Sequence, residues 1–198
     1  MKVSLLDYGT GNLHSLAKAL EGGGALVRVD SELQAAGDAD AVVLPGVGAF
    51  GAAAAQLGRS RAALHELIRA GVPCLGICLG MQLLFESSEE GEGEGLGVLP
   101  GKVRRLGAHR LPHMGWNEVV MLDDPLFAGI PELVAYYANS YAVQPADESA
   151  VIAWSEYEGV HFPAAVRRDR VWGVQFHPEK SGAPGLRLIR NFLAQVGR

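Results

Sequence analysis

Short apolar runs alternate with helix-period patterns along the first half of this 198-residue chain, and that alternation restricts the fold more than any other feature. Lys2–Leu6, Ala25–Asp30, Ala41–Leu44 and Val72–Ile77 read as strands. Among them, Asn12–Glu21 puts Leu13, Leu16, Ala17 and Leu20 on one helical face, and Arg59–Ala70 reads as a helix ended by Gly71. Leu79–Glu86 follows its strand directly as a third helix. A β-α-β-α order predicts a parallel sheet with helices on both faces. The second half differs. Val103–Leu106, Trp116–Met121, Leu133–Tyr141, Val151–Tyr157, Pro163–Arg168 and Val171–Phe176 are short runs separated by turn residues, which predicts antiparallel additions. A helix over Pro184–Val196 closes the chain, and Glu89–Gly97 (EEGEGEGLG) reads as a flexible acidic loop. With neither repeat nor linker, the expectation is one α/β domain over residues 1–198, built on a central, mostly parallel mixed sheet flanked by helices.

Charge and composition narrow the function. A net charge of −5 without a basic cluster argues against nucleic acid as a partner. No apolar run approaches the ~18 residues of a membrane span, and the N-terminus lacks a signal-peptide pattern. Two cysteines make no disulfide framework, so reduced thiols and a cytoplasmic location are expected.

Gly76-Ile77-Cys78-Leu79-Gly80 lies where a strand passes straight into a helix. Such a turn needs small residues around a strained nucleophile and exposes the sulfur at the carboxyl end of the strand. Free N–H groups there favour a thiolate, and the Leu79 N–H is placed to meet an oxyanion. Gln82, four residues on, shares the helix face of Cys78 and can reach a substrate beside the sulfur. Cys74 has no such frame and reads as a core thiol; a metal site from the Cys74/Cys78 pair lacks the second ligand pair zinc usually takes.

Phe176-His177-Pro178-Glu179 follows the last expected strand. Pro178 keeps His177 out of the helical region, and in an extended segment His177 and Glu179 point to one side, so that the carboxylate can orient the imidazole toward a thiol. Pro45-Gly46-Val47-Gly48 ends a neighbouring strand, where glycines let the backbone offer an N–H to an anion, or simply make a turn. His14 and His65 read as surface or packing residues, and His109 and His161 have no evident partner in the sequence.

Together with Asp7-Tyr8-Gly9-Thr10-Gly11-Asn12-Leu13, Pro45–Phe50, Gly76–Phe85, Pro112–Asn117, Asn139-Ser140-Tyr141 and Gln175–Ser181, these motifs resemble the class I (triad-type) glutamine amidotransferases. Within them, PHMGWN and DYGTGN are similar to the family of glutaminase subunits of imidazole glycerol phosphate synthase. The resemblance spans nearly the whole chain and implies the flavodoxin-like fold of that class. It implies a triad of Cys78, His177 and Glu179, and oxyanion donors at Val47, Gly48 and Leu79. Gly46, Gln82, Glu90, Ser140 and Tyr141 would hold glutamine, and His113, Met114, Gly115, Trp116 and Asn117 would meet the partner. That partner would be a (β/α)₈-barrel cyclase subunit, with no cofactor or metal required. Asn139 departs from the pattern, which has histidine before Ser-Tyr in many relatives. In the family the Pro45–Gly48 strand can hold an N–H turned away from the oxyanion until the partner binds its own substrate. A triad amidotransferase feeding pyridoxal phosphate, anthranilate or carbamoyl phosphate synthesis is the alternative, and a catalytically silent interaction protein of the same fold is another.

Overall fold

The computed structural model describes residues 1–9, 13–31, 38–58 and 60–197. Thr10, Gly11 and Asn12 of the DYGTGN motif, and Arg59, lie outside the described residues.

An eight-stranded sheet runs through the molecule. In chain order its strands are β1 (Lys2–Leu6), β2 (Leu26–Asp30), β3 (Ala41–Leu44), β4 (Cys74–Ile77), β8 (Val120–Met121), β11 (Val151–Tyr157), β12 (Val160–Arg168) and β13 (Val171–Val174). Their spatial order is β2-β1-β3-β4-β13-β12-β11-β8. The pairs from β2 to β13 are parallel, and β13/β12, β12/β11 and β11/β8 are antiparallel. The expected parallel core with antiparallel additions is therefore present, with β13 as the seam between its halves.

Strand side chains alternate between faces, and the helices divide accordingly. Val43, Leu75 and Ile77 pack with Leu16 and Leu20 of α1 (Leu13–Gly22) and with Leu188, Ile189 and Phe192 of α5 (Gly182–Val196). Val42, Leu44 and Cys74 face the other way, against Phe50, Ala53 and Leu57 of α2 (Phe50–Leu57), Leu64 and Ile68 of α3 (Arg61–Arg69) and Met81 of α4 (Leu79–Leu83). Pro184 falls in the first turn of α5, where a missing N–H costs nothing, so the helix begins two residues before it.

Several expectations need correction. α2 has no counterpart among the helices expected from sequence, because its small-residue run FGAAAAQL lacks polar–apolar periodicity. The helix expected over Leu79–Glu86 is only Leu79–Leu83, tightening afterwards into turns with Leu84 and Phe85 N–H donating to the carbonyls of Met81 and Gln82. Leu133–Tyr141 is two strands in two sheets. β9 (Val134–Asn139) pairs with β7 (His113–Glu118), while β10 (Tyr141–Pro145) pairs with β6 (Gly101–Arg105). The short β5 (Ser87–Ser88) lies parallel to the other edge of β6. Likewise Trp116–Met121 divides between β7 and β8. Glu89–Gly97 is tied down rather than loose: Glu90 accepts a hydrogen bond from Phe50 N–H at 2.8 Å, and Leu96 is buried.

Candidate active site

β3, β4 and β13 end side by side, and the chemistry-bearing residues follow those ends. Cys78 leaves β4 with φ 52° and ψ −107°, a strained conformation for a residue with a side chain. Its N–H donates to Val174 O at 2.7 Å, which fastens the elbow to β13. The flanking glycines are sterically required. A Cβ on Gly76 would lie 2.6 Å from Gly80 O, and one on Gly80 would lie 1.9 Å from Leu44 O. Cys74 is fully buried, and burial pushes its thiol up to about 12, as a core thiol behaves.

His177 Nδ1–H donates to Glu179 Oε1 at 2.9 Å, with both side chains nearly buried. The pairing is as expected, but its geometry is not an extended strand. Pro178–Lys180 form a 3-10 turn, and only His177, at φ −102° and ψ 94°, stays extended. Proline restricts the residue before it, and its own fixed φ suits the first position of such a turn. Ser181 holds the turn by donating from Oγ to His177 O at 2.6 Å, and it accepts from Tyr136 N–H at 3.0 Å.

His177 Nε2 makes no hydrogen bond of standard geometry, yet Cys78 lies near enough to act on it. Burial alone would lower the imidazole's affinity for a proton. The sulfur and the Glu179 carboxylate outweigh it and lift His177 to about 9. We therefore expect the His177 ring protons to titrate near pH 9 by NMR. In Cys78→Ala, with only the carboxylate supporting the charge, the midpoint should fall by about one pH unit or more; an unmoved midpoint would remove the sulfur as its partner.

A cavity of about 190 Å³ opens beside the sulfur. At roughly 30 Å³ per water, it has room for a single amino acid. It is lined by Val47, Gly48, Cys78, Leu79, Gln82, Glu90, Ser140 and Tyr141, with Pro112, Ala138 and Asn139. Gly46 is absent from this lining and instead faces a smaller recess that includes His177 and Glu179. The Leu79 N–H is engaged by Gly46 O at 3.4 Å. Since C=O and N–H of one peptide unit point oppositely, the Val47 N–H faces away from Leu79. Gly46 (φ 155°) and Gly48 (φ 136°) occupy backbone regions that favour glycine.

The expected partner-facing stretch alternates in burial along β7. Met114 and Trp116 are exposed, whereas His113 is buried between the rings of Tyr137 and Tyr157, at 4.8 and 4.0 Å. His113 therefore belongs to the core, by strand alternation. Asn117 turns back to donate to Glu156 O at 2.8 Å. Trp116 packs edge-on against Tyr136, whose ring lies 6.4 Å from His177 and under Lys180. His161, which has no evident partner in the sequence, pairs with Glu156 at 3.1 Å on the surface. One residue of the site carries no role that the sequence alone suggests: Gln175, fully buried, donates from Nε2 to the Cys78 sulfur at 3.5 Å. In the sequence it stands as the first residue of the Gln175–Ser181 stretch, with nothing there to tie it to Cys78.

The profile described as glutamine amidotransferase class-I matches residues 4–196. The chain is 47% identical to the imidazole glycerol phosphate synthase subunit HisH of Halobacterium salinarum over 96% of its own length and 92% of the relative's. It is 44% identical to the subunit of the same name from Methanothermobacter thermautotrophicus, over 96% and 97%. Among solved structures, one described as a glutamine amidotransferase superposes with a TM-score of 0.80 at 21% identity, covering 99% of both chains. A putative GMP synthase component from Thermoplasma acidophilum gives 0.78 at 19%, over 100% of this chain and 94% of that one. These two speak for the fold.

Proposed function

The chain belongs to the class-I glutamine amidotransferase family, and from that premise we propose that it is the glutaminase subunit of an imidazole glycerol phosphate synthase, acting in histidine biosynthesis. The carrying observation is that Cys78, which lines a cavity of single-amino-acid size, lies beside the hydrogen-bonded His177–Glu179 pair. The working unit is the whole chain as one glutamine amidotransferase domain.

In this reading the Cys78 thiolate attacks Cδ of glutamine, and His177, carrying the thiol's proton, returns it to the departing nitrogen. The C–N bond breaks, ammonia leaves, and a γ-glutamyl thioester remains. Water, deprotonated by His177, attacks the thioester; the C–S bond breaks, and glutamate leaves with Cys78 restored. Glu179 holds the imidazole tautomer throughout. Gln82, Glu90, Ser140 and Tyr141 surround the amino-acid end of the substrate.

Ammonia then passes to a (β/α)₈-barrel cyclase subunit in a heterodimer, which uses it to make imidazole glycerol phosphate and the aminoimidazole carboxamide ribonucleotide. The exposed Met114 and Trp116, with Gly115 between them, form the contact, beside Tyr136 and Lys180 and close to His177. A cytoplasmic location accords with two free thiols, and no helix among the described residues is long and apolar enough to cross a membrane.

The Gly46–Val47 peptide supplies a control. With its carbonyl on the Leu79 N–H and its own N–H turned away, this peptide withholds the Val47 donor from the oxyanion hole, and a flip eased by Gly46 would restore it and free the Leu79 N–H. Losing one oxyanion donor typically costs 10²–10³ in rate, so the isolated chain should hydrolyse glutamine slowly and gain roughly that factor with the cyclase and its ribonucleotide. Glutamate release measured with and without them decides the matter. Rapid turnover by the chain alone would refute the control, and stimulation by a different synthase would refute the partner.

A further inference from the structure

Gln175 lies between the substrate-binding residues and the nucleophile, and the hydrogen bonds around it fix which way its amide points. The Tyr141 carbonyl can only accept, so it orients Gln82, whose Nε2 donates to it at 3.1 Å. The second hydrogen on that nitrogen needs another acceptor, and Gln175 Oε1 is 3.2 Å away. The Gln175 –NH₂ is thereby left on the far side, where it meets the Cys78 sulfur at 3.5 Å. Turning the amide over would set two –NH₂ groups against each other and a carbonyl lone pair against the sulfur, with both amides buried. The Gln175 backbone is fixed as well, through its N–H to Ala164 O at 2.8 Å.

We propose that Gln175 is a further catalytic residue of this site, its amide N–H supporting negative charge on the Cys78 sulfur and its orientation set by a relay from the Tyr141 carbonyl through Gln82. Such a donor acts at two steps. It stabilises the thiolate before attack, and again when the thioester C–S bond breaks and the electron pair returns to sulfur. A thioester sulfur carries little charge, so the interaction is strongest in the states flanking the acyl-enzyme. Gln82 is then more than a substrate contact, because it also holds the donor in register. The inference rests on Cys78 being the nucleophile.

The test reads the sulfur itself, without glutamine. The full chain is alkylated with iodoacetamide from mildly acidic to alkaline pH, and Cys78 and Cys74 modification is followed separately by peptide mass spectrometry. Gln175→Glu keeps the shape and can still accept from Gln82, but presents a carboxylate oxygen to the sulfur. Alkylation of Cys78 near neutral pH should slow about tenfold and its half-maximal point move up by about one pH unit, while the alkaline plateau is kept. Gln82→Glu leaves residue 175 untouched, yet its carboxylate would draw the Gln175 –NH₂ toward itself; the same upward move is expected, and it carries the test if the first variant fails to fold. Profiles that superimpose on the parent's, or a lowered plateau with an unmoved midpoint, overturn the proposal. Failure of its premise looks different: Cys78 of the parent would then alkylate no faster than buried Cys74.

Discussion

The Cys78→Ala variant is expected to lose glutamine hydrolysis by about 10⁴-fold or more, measured as glutamate release with the cyclase and its ribonucleotide present. The loss should come without unfolding. Cys78 is held by its backbone, through the N–H to Val174 O, and by glycines that let Gly76 and Gly80 approach one another. Alanine keeps the Cβ and therefore the strain at φ 52°. Cys78→Gly would release it, so this second inactive variant should be more stable than the parent by about 1 kcal/mol, read from urea unfolding. Substantial turnover by Cys78→Ala would place the nucleophile elsewhere, and the chain's only other thiol is the fully buried Cys74. A Cys78→Gly variant no more stable than the parent would show that the elbow is not under strain.

Gly80→Ala is expected to cost both stability and activity. The added Cβ would sit 1.9 Å from Leu44 O and 3.0 Å from Leu44 Cβ, so the start of α4 and the end of β3 must separate. Overpacking that only backbone movement can relieve costs about 3 kcal/mol, which in a chain this long lowers the melting temperature by roughly 10 °C. The surviving folded fraction should also be a poor enzyme, because the displaced elements carry the Leu79 N–H and the Gly46–Val47 peptide. A variant with the parent's melting temperature would show that the two elements are not in tight contact. Gly22→Ala is the fitting control, since a Cβ there meets nothing within 4 Å.

Much of this site is legible in the sequence because it depends on local chain chemistry. Glycines at 76 and 80 announce a turn too tight for side chains, and Pro178 restricts His177 wherever the segment packs. The parallel order of the first half follows from alternating periodicities, which are also local. What stays hidden depends on contacts between distant segments. The sequence does not show that Leu133–Tyr141 changes sheets at Ser140, because Asn139 and Tyr141 take different strand partners that only tertiary pairing supplies. His113 looks like a surface residue within PHMGWN. Its burial depends on the phase of β7 against β9, and a shift of one residue would have reversed it. Gln175 escapes for a related reason: its partners, Gln82 and Cys78, lie more than ninety residues away along the chain.

The central place of β13 has a consequence for how the protein is made. It is the last strand in the sequence, yet it enters between β4 and β12 in the middle of the sheet. Until it docks, Cys78 has no His177, no Glu179 and no Gln175, the last of these 97 residues downstream. A chain still emerging from the ribosome thus displays a thiol without the groups proposed to make it hydrolytic, and the pairing of β13 with β4, being non-local, forms late. On the roles proposed for these residues, chains terminated before β13 should be inert toward glutamine.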